Sequence, residues 1–266
     1  MDGNETGDCD CGIHERSVIQ TGLNHKAFAE FLTERWQKKD GYIMGAVGEN
    51  PKIWTKASWR IAQYADTKKY TEKQYEKALY WWKNAERVWD CQGLADGYVT
   101  EHAGAGQVNV KARNNYADWC GTKGKGLIPA EYRIAGAAVF WGDSAGEIHH
   151  VGYLVKPVED GKADGDWYII EARGVMYGVV RTRLYERKPN FWGWMTKYFD
   201  YADAAHYTVT GGSVYLWSAP PESGGEKIKT VHKGDALEKV SQENYAPVRT
   251  DGRILWINRK YLKGGD

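Results

Sequence analysis

Four cysteines and seven histidines are the side chains of this protein best suited to covalent chemistry, and one of each stands in a telling setting. A thiol attacks only as its thiolate, whose formation is favoured at the positive end of a helix or beside an imidazole. Cys91, in Trp89-Asp90-Cys91-Gln92-Gly93-Leu94, has the first condition from local sequence. Leu94, Ala95, Tyr98 and Val99 share one face of a helix predicted to start at Cys91, with Asp90 as its N-cap. The second condition can come from His149-His150-Val151-Gly152-Tyr153-Leu154. Strand alternation there sends the two histidines to opposite faces, so only one can meet the thiol. The plainer alternatives are a buried structural cysteine and a solvated or core histidine, and spacing alone does not separate them.

Other groupings carry less chemistry. Gly142-Asp143-Ser144-Ala145-Gly146 matches a serine nucleophile elbow as a string, but the elbow needs a helix after it and a strand-like run follows, so a hairpin turn is expected. Cys9, Cys11 and His14 are metal-type side chains without an evident fourth ligand. Cys120 has no basic neighbour in sequence and reads as structural. His102 with Gly104 and Gly106 reads as a helix end and loop, because no Gly-Lys-Ser/Thr completes a phosphate cradle. No metal or organic cofactor is expected.

The elements that must position Cys91 and His150 are legible as patterns. Ala27, Phe28, Phe31, Leu32 and Trp36 lie at helical spacing between Asn24 and Lys39, with Asn24 as N-cap. Thr71 and Gln74 form a capping-box signature, and Tyr75, Ala78, Leu79, Trp82 and Ala85 continue one apolar stripe to about Glu86. Beyond Pro129 the pattern changes to short β-rich runs, 137–141, 149–155, 167–172 and 177–184, separated by Gly/Asp turns as in an antiparallel meander. After the small, polar stretch Asp200 to Ala205 the chain reads as short strands broken at Pro220-Pro221, Ser223-Gly224-Gly225, Gly234-Asp235 and Asp251-Gly252, which sets a domain boundary near Ala204.

Composition bounds the function. At 266 residues the chain suits a medium domain plus a small one. With 36 Lys+Arg against 35 Asp+Glu, the formal net charge is +1, so no global field holds it on nucleic acid or an anionic membrane. No apolar run is long enough to cross a bilayer, and Met1 to Gly12 is acidic and Gly-rich where a secretory signal is basic and then apolar. Synthesis as a cytosolic protein is the expectation, with another route for any work outside the cell. The cysteines are too few and scattered for a disulfide scaffold, and 13 Trp and 18 Tyr suit contact surfaces and cores alike.

Asp90-Cys91-Gln92-Gly93-Leu94 resembles the Asp-Cys-Ser-Gly-Phe/Leu signature of the NlpC superfamily of cell-wall cysteine peptidases, and His150-Val151-Gly152-Tyr153 resembles its His-Val-Gly-Ile/Val-Tyr strand. Tyr168-Ile169-Ile170-Glu171-Ala172 fits the next strand, Gly174 with Gly178-Val179-Val180 the turn and strand after it, and Tyr42-Ile43-Met44-Gly45 the Tyr-x-x-Gly segment before the nucleophile. The likeness runs from Lys26 to Leu184. It implies an α+β, papain-like fold with helices packed on an antiparallel sheet. It also implies roles: Cys91 as nucleophile, His150 as general base and then acid, Glu171 as the group that orients the imidazole, and Tyr42 as an oxyanion donor beside the Cys91 N–H.

Three departures stand out. Gln92 replaces the usual Ser, Ala135-Gly136-Ala137-Ala138-Val139-Phe140 lacks the Pro and Asp of the usual strand entry, and residues 46–88 form a long helical insertion where compact members have a short loop. The third polar position is most often His, Asn or Gln in the family, so Glu171 is also unusual.

The C-terminal segment resembles a bacterial SH3-like domain. Val214-Tyr215-Leu216-Trp217, Lys233-Gly234-Asp235-Ala236-Leu237 and Trp256-Ile257-Asn258-Arg259-Lys260-Tyr261-Leu262 follow its order. The resemblance implies wall binding, with Tyr215, Trp217, Tyr245 and Trp256 as contact candidates. The resulting expectation is a tail over 1–24, a catalytic cysteine peptidase domain over 25–203 and an SH3-like barrel over 204–266. The expected activity is that of a monomeric peptidoglycan endopeptidase, probed against two alternatives, a muramoyl-L-alanine amidase and a non-catalytic wall-binding or phage-tail protein. A phage or prophage endolysin would join a cytosolic-looking start to a wall-directed domain.

Overall fold

Strand β1 (Leu23–Asn24) runs directly into helix α1 (His25–Gln37), and Asn24 marks the junction by accepting the N–H groups of Lys26 and Ala27 at 2.8 and 3.0 Å. Two of the donors left orphaned at a helix start are thereby satisfied. The computed structural model describes residues 22–104, 106–201, 206–209, 212–219, 224–233, 235–239, 245–250, 253–258 and 262–263. Phe28 and Leu32, one turn apart on α1, are fully buried, and left-handed Lys39 (φ 56°) follows the helix end.

Strand β2 (Gly41–Tyr42) leaves this turn and pairs in parallel with β3 (Val88–Trp89), Tyr42 opposite Trp89. The two strands close the neck of the insertion, so its 46–88 excursion begins and ends at one place. Within it lie α2 (Trp59–Ala62) and α3 (Glu72–Asn84). The capping box at Thr71 and Gln74 forms in both directions. The first half of the insertion, expected to be helical, holds only the single turn of α2, flanked by tighter turns at Pro51–Ile53 and Gln63–Ala65. The insertion folds back on the chain that leaves Tyr42: the Tyr64 hydroxyl accepts the Met44 N–H at 2.9 Å, and the Trp59 ring lies against Gly45. Trp81 ties its far side to the sheet by donating to Val175 O at 2.6 Å.

After β3 come α4 (Gly93–His102) and the short α5 (Ala112–Asn114). A six-stranded antiparallel sheet follows, from β4 (Thr122–Lys125), β5 (Ala138–Gly142), β6 (Ile148–Pro157), β7 (Trp167–Ala172), β8 (Val179–Arg183) and, beyond the one-turn α6 (Leu184–Arg187), β9 (Phe191–Trp194). Its order is β4-β9-β5-β6-β7-β8, and α1 packs across β6, β7 and β8. The last strand of this region, β10 (Phe199–Asp200), pairs in parallel with β1.

Strands β5 to β8 fall on the four β-rich runs read from sequence, and residues 143–147 form the turn between β5 and β6. Strands β4 and β9 were not expected. Thr122-Lys123-Gly124-Lys125 is a polar edge strand without apolar alternation, and it is held by its ladder to β9.

The C-terminal residues form a separate seven-stranded antiparallel sheet of β11 (His206–Val209), β12 (Ser213–Trp217), β13 (Lys227–His232), β14 (Ala236–Lys239), β15 (Tyr245–Thr250), β16 (Arg253–Asn258) and β17 (Leu262–Lys263). Val214, Leu216, Val231, Leu237, Val248 and Ile257 make its own small core. The expected boundary near Ala204 lies outside the described residues, as do Cys9, Cys11 and His14. Among the described residues no helix is long and apolar enough to cross a membrane.

Candidate active site

Cys91 sits in the turn between β3 and α4. The helix starts at Gly93, two residues later than expected, because Asp90 spans the turn with its side chain. The N-cap position falls on Gln92 and not on Asp90 as expected, yet Asp90 Oδ1 accepts the Gly93 N–H at 2.6 Å and Oδ2 the Gly45 N–H at 2.9 Å. One carboxylate thus joins the Tyr42–Gly45 segment to the start of α4. The fit is close: a Cβ on Gly93 would overlap the carbonyl oxygen of Ala46, so glycine is required there.

The thiol's electrostatics differ from the sequence expectation. Burial and then the Asp90 charge push Cys91 up to about 12, against the lowering effect of the N–H groups of Val151, Gln92 and Cys91 itself. The helix-end contribution is present but outweighed, because desolvation of a thiolate costs more than a few dipoles return. The Val151 N–H that acts on the thiol belongs to β6, at the residue next to His150.

His150 is half-buried and His149 exposed, as alternation requires. Glu171 reaches across from β7 with its side chain wholly buried, and His150 Nε2 donates to Glu171 Oε2 at 2.7 Å. Glu171 also receives Thr182 Oγ1 at 2.7 Å and both Nε and Nη2 of Arg187, at 2.7 and 2.9 Å. Burial pushes this carboxyl up, but the donors from His150, Arg187 and Thr182 outweigh it and hold it at about 2. Glu171 is therefore an acceptor only, and the neutral imidazole carries its proton on Nε2. Nδ1 is the ring nitrogen that Glu171 does not engage.

Tyr42 is buried, and its phenol is pushed well above the ordinary range by burial, then by the Cys91 and Asp90 charges. Its hydroxyl stays a donor within the field of the thiol. Of the predicted set, His150 and Glu171 are in direct contact, and Cys91 and Tyr42 interact with each other on the β2–β3 side. Tyr215 is exposed on β12 with Trp217 half-buried beside it, and Lys227 Nζ lies 4.1 and 5.5 Å from their ring centroids. The side chains of Tyr245 and Trp256 lie outside the described residues.

Several partners escaped sequence reading. Gln92 is no neutral replacement for serine: buried, it donates to Asp96 Oδ1 at 2.8 Å and accepts from Asn115 Nδ2 at 2.9 Å, fixing α4 to the core. Asp96, pushed by burial to about 7, completes that network by accepting the Val110 N–H. Trp141 stands opposite His150 in the β5–β6 ladder, ring centroids 5.1 Å apart. Only the cross-strand register could have signalled it.

No protein-family model and no curated protein matches the sequence. Among solved structures, the NlpC/p60 domain of the peptidoglycan hydrolase SagA is similar at 17% identity, covering 65% of this chain and 100% of that one, with a TM-score of 0.37. Ly7917 is similar at 12% identity over 91% of this chain and 98% of that one, with a TM-score of 0.34, and 0.33 for Ly7917 with the hydrolyzing product of MDP.

Proposed function

We propose that this protein is a cysteine peptidase of bacterial peptidoglycan, cutting an amide of the stem peptide, between γ-D-glutamate and the diamino acid, through an acyl-enzyme on Cys91. The observation that carries the reading is the His150 imidazole, held at Nε2 by a buried, ionised carboxylate and one residue from the Val151 N–H that acts on the Cys91 thiol. A thiol pushed up to about 12 is uncharged at neutral pH. The proton therefore passes to His150 Nδ1 as sulfur attacks the carbonyl carbon.

The carbonyl π-bond opens to an oxyanion stabilised by the Cys91 N–H and the Tyr42 hydroxyl. The imidazolium then protonates the leaving amine, the C–N bond breaks and a thioester remains. Water, deprotonated by His150, attacks the thioester; the carboxylic acid leaves and the thiol is restored. Glu171 stays ionised throughout and favours each imidazolium.

The C-terminal sheet serves in this reading as an SH3-like wall-binding domain, its exposed Tyr215 and neighbouring Trp217 contacting the wall and raising the local concentration of the catalytic domain. A phage or prophage endolysin is the biological role that fits. Digestion of purified sacculi with mass spectrometry of the released muropeptides tests the bond: new amino termini inside the stem support the peptidase, and free lactyl-muramic ends point to the amidase instead.

A further inference from the structure

Glu171 is saturated. Oε2 accepts His150 Nε2 and Arg187 Nη2, and Oε1 accepts Arg187 Nε and Thr182 Oγ1, at 2.7 to 2.9 Å throughout. A carboxylate with two donors on each oxygen cannot turn without losing one, so its direction toward the imidazole is set by the other three. Arg187 supplies two of those three, through its planar fork. The arginine is itself held. Its carbonyl accepts Trp141 Nε1 at 2.8 Å, and its guanidinium lies 4.7 Å from the Trp141 ring centroid. Trp141 in turn packs on the His150 ring. His150, Glu171, Arg187 and Trp141 form a closed circuit of contacts drawn from β6, β7, α6 and β5.

We propose that Arg187 is a positioning residue of the Cys91–His150 pair, aiming Glu171 at His150 and offsetting its charge so that the acid limb of the reaction lies at lower pH. This rests on Cys91 and His150 acting as described above. The charge argument is one of balance. Glu171 alone would favour the imidazolium strongly, and an imidazolium cannot accept the thiol proton. Arg187, on the far side of the same carboxylate, opposes a second positive charge. The other groups around the circuit leave this balance in place. The Tyr177 phenol acts on Arg187, and His150 is next to the residue whose N–H acts on the Cys91 thiol. On β8, Arg183 is paired with Asp166, and Arg181 lies over the Trp36 and Tyr168 rings. Glu186 and His149 are exposed.

The test compares Arg187→Gln and Arg187→Lys in the full chain, with kcat and KM on a soluble muropeptide across pH. Arg187→Gln is expected to move the acid limb of kcat/KM up by about one pH unit. Arg187→Lys keeps the charge and loses the fork, so its limb stays in place while kcat falls roughly fivefold with KM unchanged. NMR titration of His150 in a Cys91→Ala background reads the same charge effect without any reaction, and its midpoint should rise by about the same unit in Arg187→Gln. An unmoved midpoint overturns the proposal whatever the activity. A moved midpoint in a protein that proves inactive on peptidoglycan would instead sink the functional reading and leave the positioning intact. If Arg187→Gln folds too poorly to titrate, Arg187→Lys decides: kcat equal to the parent overturns the role.

Discussion

Two carboxylates flank the candidate pair, and their environments drive them apart. Asp90, next to Cys91, is raised to about 6 by burial, with the N–H groups of Gly93, Gly45 and Gln92 lowering it only part of the way. Glu171, facing His150, meets the same burial penalty and still sits at about 2, because its partners include the His150 imidazole and the Arg187 guanidinium. Dipoles satisfy a carboxylate; a cation keeps it charged. The His150 side is thus built to hold charge while the thiol side resists it, and in the proposed mechanism proton transfer is then part of the attack rather than its precondition.

The sharpest way to break this contrast is to remove the thiol. Cys91→Ala should lower muropeptide release by roughly 10⁴-fold or more, and lysis at the parental rate would remove Cys91 from the mechanism.

Glu171→Gln probes the charged side. A depressed carboxyl contributes stability that is present above its unfolded pKa and lost as pH falls through the folded one. The shift from 4.5 to about 2 corresponds to about 3 kcal/mol. Urea unfolding at pH 7 should show the variant less stable by about that amount, with the gap closing as pH is lowered from 4.5 toward 2. A gap independent of pH would mean that Glu171 is not held as an anion.

Asp90→Asn probes the other side. It removes the second cause of the raised thiol and leaves burial in place, so iodoacetamide should alkylate Cys91 about tenfold faster at pH 8. Below about pH 6 Asp90 is itself protonated, and the two rates should converge. An equal acceleration at pH 5 would point to altered packing.

The smallest effect expected is at the C-terminal sheet. Tyr215→Ala should weaken sedimentation with purified sacculi about fivefold, since an exposed ring beside Lys227 carries about 1 kcal/mol of contact. Unchanged binding would move the wall contact elsewhere.

Much of the scaffold is legible in the order of residues alone. Asn24 and the Thr71/Gln74 box announce α1 and α3 because caps and apolar periodicity are local. The strand carrying His150 and the one carrying Glu171 read as separate runs for the same reason. The polar edge strand β4 and the single turn α6 do not, since neither has a period of its own and each is held by neighbours distant in sequence. Arg187 lies just past the last residue of the family likeness, and nothing local ties it to a carboxylate 16 positions earlier.

The sequence by itself determined which side chains could do chemistry, the elements that carry them, and the opposite facing of His149 and His150. Only the tertiary structure decided their electrostatics. It put Arg187 and Thr182 on Glu171, turned Gln92 into the core, and raised the Cys91 thiol that a helix end alone would have lowered. Caps and periodicity depend on residues a few positions apart, whereas the charge a group can hold depends on every dipole, cation and excluded water around it, wherever the chain supplies them.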